Sequence, residues 1–465
     1  MKKRVKNLAL IYISLWVVVF MVLTILFSRR ERSIVDSALF FFEMASNPNF
    51  LLGFHVLFML VYSLFLTIKH FIKVSKNKGR STAIKQFLYR CCLPLLMLFV
   101  GFKTIVFINA REWHHYDWDT SVINKTGYAK DLYEKDNKQR GISVFGWSDD
   151  NSEAINDLIK NNVEWVAVIP FIDQKDENSD HVRAPNNLET YSRRDSNMIR
   201  AINDLHSKNL RVHLKPHLWL RNGWRSNISL SNKKEWDTWF NSYRVHMLRY
   251  AKMAQDTKAE LFCIGTELKT SIKNQPEKWE LLIKEIREIY DGKLTYAANW
   301  HDEYEHITFW DQLDYIGIQA YFPLTKEENP SLEAIEKGWD KHLEALENVH
   351  KKYEKPILFT EVGYKSTPDA TIKPWEWTSY FSKLSEKKSD MTQQLAYEAM
   401  FKKNWNKPWF AGVYIWQWHT RTTRESAETD LDFSPRFKPA ENVIAKWFAR
   451  HTNTHDQDKM YTSDN

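Results

Sequence analysis

Cysteine is scarce: the 465 residues hold three, Cys91, Cys92 and Cys263. Cys91 and Cys92 are chain neighbours in an apolar stretch, where a bridge between them would be strained, and Cys263 has no evident partner. A disulfide framework is excluded, and so is a zinc site built on spaced cysteines. Glycine is scarce too, with 13 in the chain. No Gly-rich phosphate loop follows the first strand-like segment, which argues against a doubly wound nucleotide-binding sheet. Beyond residue 110 there is no Lys/Arg stripe interleaved with aromatics, so no nucleic-acid partner is expected. Metal-ligand spacing is absent as well, and neither metal nor cofactor is expected. The formal net charge of +7 is unevenly shared. Residues 1–110 carry 15 Lys/Arg against three acids (Glu31, Asp36, Glu43), about +12, while residues 111–465 carry 50 against 55, about −5.

The basic excess belongs to a membrane region. Residues 7–28 are apolar over a length that spans a bilayer, and "RRER" rather than a small-residue cleavage site follows them, so they read as an uncleaved anchor. Residues 51–68 form a second span. Residues 91–109 form a third, with Pro94 near its start and Lys103 inside it. Basic residues crowd the N-terminus (Lys2, Lys3, Arg4, Lys6) and the segment between spans two and three (Lys69 to Arg90). Placing both inside puts everything after residue 110 on the extracytoplasmic side. Residues 1–110 therefore read as a multi-pass membrane region, 111–140 as a juxtamembrane linker and 451–465 as a polar tail. In the linker, Trp113, Tyr116 and Trp118 suit a membrane interface, and His114–His115 reads as a solvated pair.

From residue 141 to 450 the pattern alternates strand and helix. Strands are expected at 141–147, 163–171, 210–217, 260–267, 294–300, 313–321, 356–361 and 411–418. They are mostly continuous apolar runs, as strands covered by helices are. Helical periodicity fills the gaps, for example over 233–257, where Trp236, Trp239, Phe240, Tyr243, Met247, Tyr250 and Met253 share a face. Eight strand–helix repeats in about 310 residues fit an α/β architecture of the (β/α)8 (TIM) barrel kind, preceded by the transmembrane helices.

In such a barrel the strand ends converge on one face, where chemistry sits. Glu267 ends the fourth strand in "CIGTEL" and Glu361 the seventh in "FTEVGY". One glutamate at a strand end is commonly a salt-bridge partner. Two, on strands four and seven, suit the paired carboxyls of a glycoside hydrolase, which lie about 5–5.5 Å apart in a retaining enzyme. Around them converge His217, Trp219, Asn299, Trp300, Tyr321, Trp416 and Trp418. A tyrosine or histidine can hold an ionised carboxylate by hydrogen bonds, and indole faces stack on sugar rings. Seventeen of the 20 tryptophans fall within 147–447, which favours a sugar cleft over a cofactor site. Cys263 reads as core filler, and the acidic loop with Asp173, Asp176 and Glu177 as solvated.

These segments, together with "HLKPHLW", "YAANW", "DYIGIQAYFPL", "GVYIWQW" and "DFSPRFKPAENVI", resemble the clan A retaining glycosidases. Within that clan the chain is similar to glycoside hydrolase family 113, known for endo-β-1,4-mannanases. The resemblance spans about 141–448. It implies Glu267 as acid/base, Glu361 as nucleophile, Tyr321 as the group holding the nucleophile and Trp416 as a sugar platform. Thr266 stands where many clan members place Asn. The expected function is a membrane-anchored retaining β-glycosidase acting on a β-mannan-like or related polysaccharide, with that glycan and the lipid bilayer as its partners. The competing expectations are a non-catalytic carbohydrate-binding barrel of a surface polysaccharide system and a membrane protein that uses the barrel as a sensor.

Overall fold

The computed structural model describes residues 2–28, 34–46, 48–112, 116–183, 193–379 and 382–451. Trp113, His114, His115 and the 452–465 tail lie outside the described residues. The chain forms two compact units, Met1–Thr104 and Ile105–Asn465.

In the first unit the apolar runs become helices, because a long apolar segment without turn residues satisfies its backbone groups only internally. Among the described residues, three helices are long and apolar enough to cross a membrane: Leu8–Leu26, Phe50–Lys78 and Arg80–Asn109. Their side chains largely face outward; Leu95, Leu96, Met97 and Leu98 are all exposed. Aromatic contacts tie the first to the second, with Trp16 stacked on Phe54 at 3.9 Å and Tyr12 edge-on to Phe54 and Phe58. Phe71 meets Phe87 across the turn at Gly79 (φ 85°). A π-helical turn, Leu88–Cys92, precedes Pro94, whose missing N–H and ring would disrupt a regular helix there. The helix Ile34–Ala45 was not expected from the sequence; its 12 residues are too few to span.

The second unit is a closed barrel. Eleven strands occur among its described residues: β1 Gln139–Phe145, β2 Trp165–Val168, β3 Phe171–Gln174, β4 Val182–Arg183, β5 Arg211–Leu214, β6 His217–Leu220, β7 Leu261–Thr266, β8 Lys293–Asn299, β9 Tyr315–Gln319, β10 Ile357–Val362 and β11 Phe410–His419. Eight of them close in the order β1-β11-β10-β9-β8-β7-β5-β2, with every pairing parallel. Two apolar layers result from strand alternation. Trp165, Ala167, Leu261, Leu358, Tyr414 and Trp416 fall in one cluster, which fills the interior. Val166, Val168, Phe262, Ile264 and Phe359 fall in the larger cluster with helix residues such as Trp239, Met247, Trp279 and Trp339.

The expected second and third strands each break in two, and each break falls at a proline. Pro170 separates β2 from β3, and Pro216 separates β5 from β6. Proline has no N–H to offer a ladder. The continuations pair with each other, Phe171 opposite His217 and Asp173 opposite Trp219, and with β4 make a small sheet beyond the barrel strands.

Residues 116–138 pack on the barrel. The Tyr116 hydroxyl donates to Glu441 Oε2 at 2.6 Å, the Val122 carbonyl accepts from Asn162 Nδ2 at 2.8 Å, and the Leu132 and Tyr133 amides donate to Glu164. Buried Arg140 pairs with Asp136 at 2.7 Å and reaches the Phe448 carbonyl at 2.8 Å, closing the barrel base.

Candidate active site

β7 is buried along its whole length and ends because Glu267 takes a left-handed backbone, φ 50°, which no extended strand continues. Gly265 permits the approach: a Cβ there would lie 2.9 Å from the rings of Trp279 and Tyr296. The ladder to β8 shifts register between Cys263 and Thr266, and both ladders of β10 shift just beside Glu361. Such irregularities re-aim side chains at a barrel rim.

Glu267 is buried and meets a donor on each oxygen. Asn299 Nδ2 donates to Oε1 at 2.8 Å and Arg225 Nη2 to Oε2 at 2.7 Å. Its main chain is pinned as well: its amide donates to the Ala297 carbonyl at 2.9 Å, and its own carbonyl accepts from Ser226 Oγ at 2.8 Å. The next amide, Leu268, donates to the Tyr296 hydroxyl at 2.5 Å, and Tyr296 donates onward to Glu303 Oε1 at 2.6 Å. Glu303 Oε2 accepts from the Asn299 amide at 2.6 Å. Burial pushes the Glu303 carboxyl up to about 8, against the hydrogen bonds from Tyr296 and Asn299, and the negative charge of Glu267 adds to the rise.

Glu361 is equally buried, among different neighbours. Lys215 Nζ donates to Oε1 at 2.6 Å, and its remaining protons go to Gln319 Oε1 at 2.8 Å and the Thr360 carbonyl at 3.2 Å, so the ammonium is fully satisfied. Tyr321 Oη donates to Oε2 at 2.9 Å, and His217 Nε2 lies 3.3 Å from Oε1. Burial by itself would raise this carboxyl. The Lys215 charge and the His217 contact outweigh it and hold the group down at about 2. Burial keeps His217 neutral, pushed down to about 4, and keeps the Tyr321 hydroxyl protonated, well above its ordinary range. Glu361 is thus an anion throughout the neutral range. The site pairs one fixed anion with a second buried carboxyl held by an amide and a guanidinium, an arrangement suited to nucleophilic attack at one and proton transfer at the other.

The remaining sequence candidates divide. Trp416 belongs to the interior cluster and lies parallel to the His217 ring, at 6.0 Å and 3°. Trp300 stacks on Trp375 at 5.0 Å. Trp219 is 56% exposed on β6, edge-on to Phe171 at 6.3 Å. Trp418 does not join them: it is 1% exposed, lies in the outer core and carries Arg436 against its ring at 5.4 Å. Residues not anticipated also belong to the site: Lys215, Arg225, Glu303, Trp375 and Trp377, which sits edge-on to Trp416 at 6.3 Å. Lys215 was legible, since it stands at a strand end two residues before His217. The "KPWEW" segment after the seventh strand was an aromatic signal of the same kind.

Residues 144–438 match Glycoside Hydrolase Family 113. No curated protein matches the chain. Among solved structures, a GH113 β-1,4-mannanase complex is 28% identical with a TM-score of 0.58, over 67% of this chain and 98% of that one. The GH113 β-mannanase AaManA from Alicyclobacillus acidocaldarius, in complex with ManMIm, is 28% identical with a TM-score of 0.59, over 67% of this chain and 97% of that one.

Proposed function

Since the chain belongs to glycoside hydrolase family 113 and is a glycoside hydrolase, we propose that it is a membrane-anchored retaining β-glycosidase of β-mannan-like chains, with Glu361 as nucleophile and Glu267 as acid/base. The observation that carries this reading is the contrast between the two carboxyls. Glu361 is fixed as an anion by Lys215, His217 and Tyr321, while Glu267, at the end of β7, lies between Asn299 and Arg225.

In the first step Glu361 attacks the anomeric carbon while Glu267 gives its proton to the glycosidic oxygen, and the bond to the leaving sugar breaks. In the second, ionised Glu267 takes a proton from water, the water oxygen bonds to the anomeric carbon, and the ester to Glu361 breaks. Two inversions give net retention. Lys215 and Tyr321 hold the nucleophile in place and receive it again as charge returns in the second step. His217 and Trp416 line the place where the glycone rests, and Trp300 with Trp375 forms an aromatic face on the Asn299 side. Indoles of this kind suit the apolar faces of pyranose rings.

The proposed location follows from charge. The basic residues of the N-terminus and of the Lys69–Arg90 segment favour the cytoplasmic face, so three spans carry the barrel to the extracytoplasmic side. The reading is tested by Glu361→Ala in the full chain. Hydrolysis of mannooligosaccharides is lost while the circular dichroism of the barrel is unchanged; wild-type activity in this variant overturns the assignment.

A further inference from the structure

Double displacement makes opposite demands on one carboxyl: Glu267 must be protonated for the first step and ionised for the second. Each oxygen accepts one hydrogen bond, from Asn299 and from Arg225, which leaves a free acceptor site on each for a proton; the positive charge of Arg225 is what favours the ionised form. The two donors are not equally fixed. Asn299 is held by its amide bond to Glu303 and by its Oδ1, which accepts from the His301 amide at 2.9 Å. Arg225 is held loosely. Its Nε is buried without a hydrogen-bond partner, and its Nη1 makes only a 3.4 Å contact to the Leu218 carbonyl. Its guanidinium already lies 4.7 Å from the ring of Trp224, which is 46% exposed. The backbone that bears it is anchored to the catalytic segment: Ser226 Oγ donates to the Glu267 carbonyl, and the Ser226 carbonyl accepts from Thr270 Oγ1 at 2.6 Å.

We propose that Arg225 is a positioning residue that governs the protonation of Glu267. It binds Oε2 when the carboxyl is ionised, withdraws toward the Trp224 ring when Oε2 carries a proton, and sets the pH above which the first step fails. The inference rests on the acid/base role proposed for Glu267. Arg225 is the only cation among the described residues seen pairing with that carboxyl. Glu303 from the loop after β8 and Tyr321 from the end of β9 also face Glu267 electrostatically. Lys269, two residues further along the chain, acts on Glu303 and pairs with Asp302 at 3.2 Å.

The test uses the full chain in detergent, as wild type, Arg225→Gln and Arg225→Lys. The protonation midpoint of Glu267 is read from its infrared carboxylate band, identified by subtraction of Glu267→Gln. An opposite charge at hydrogen-bond distance lowers a carboxyl midpoint by about one to three units. Arg225→Gln therefore raises the midpoint by about a unit or more, and Arg225→Lys keeps most of the wild-type value. The alkaline limb of kcat/KM on mannooligosaccharides moves upward with it. On a dinitrophenyl β-mannoside, whose departure needs no proton, kcat falls about tenfold as the second step becomes limiting. A midpoint and an alkaline limb unmoved in Arg225→Gln overturn the proposal. If that variant does not fold, a midpoint in Arg225→Lys raised beyond the Arg225→Gln expectation, or a limb displaced downward, overturns it. If wild type turns over no mannoside, the mannan reading fails while the infrared titration still decides the role of Arg225.

Discussion

Lys215 Nζ lies 2.6 Å from Glu361 Oε1, and neither side chain is more than 4% exposed. A buried ion pair is a poor source of stability, because desolvating two charges offsets most of their attraction. Its effect here is on the state of one oxygen. The Glu361 carboxyl drops from 4.5 to about 2 although burial pushes it upward. Because the folded value is depressed, the associated stability is present above about pH 4.5 and is lost as pH falls toward 2.

Replacing Lys215 with methionine removes the charge that opposes burial. The Glu361 carboxyl then rises, and the acid limb of kcat/KM moves to higher pH. At neutral pH kcat/KM falls roughly 10²-fold or more, the scale for loss of one preorganised electrostatic donor. A pH–rate profile checks both outcomes.

Tyr321→Phe deletes the 2.9 Å hydrogen bond to Glu361 Oε2 and little else. A hydrogen bond to a charged group contributes about 1.5–3 kcal/mol, so kcat falls roughly 10- to 100-fold. Thermal denaturation of the same variant shows Tm lowered by a few degrees, because the lost hydrogen bond is buried and charge-assisted.

Trp219 and Trp418 separate binding from packing. Trp418→Ala opens a cavity in the outer core and costs about 3–5 kcal/mol, visible as a large drop in Tm. Trp219→Ala removes an exposed ring from the small sheet. It leaves Tm nearly unchanged and raises KM for longer mannooligosaccharides several-fold more than for short ones.

Glu303 gives a prediction of opposite sign to Glu361. Its folded value is raised from 4.5 to about 8, so the penalty for ionising it is absent below about pH 4.5 and complete above about 8. Denaturant titrations across that window show wild-type stability declining with pH, and Glu303→Gln flattens this part of the curve.

Much of this was readable from residues. Apolar runs bounded by turns gave eight strands, and the glutamates at the ends of the fourth and seventh stood out because a barrel concentrates chemistry at that rim. What escaped depended on departures from regular geometry. Trp416 and Trp418 are two apart, and strict alternation would put both on one face. The β1–β11 ladder shifts register between Ile415 and Trp418, which sends Trp416 inward and Trp418 outward. Pro170 and Pro216 marked the strand breaks in the sequence, but the pairing of the continuations is tertiary. Arg225 had no local signal, since its role arises from a turn that returns to Glu267 across 42 positions.

In the proposed mechanism Glu361 forms a glycosyl ester during turnover. Incubating the full-length protein with a 2-deoxy-2-fluoro-β-mannosyl fluoride, then locating the adduct by peptide mass spectrometry, tests it most directly. One fluoromannosyl adduct is expected, on Glu361, formed more slowly in Lys215→Met. An adduct on Glu267, or continued hydrolysis of mannosides with inverted products and no adduct, would contradict it.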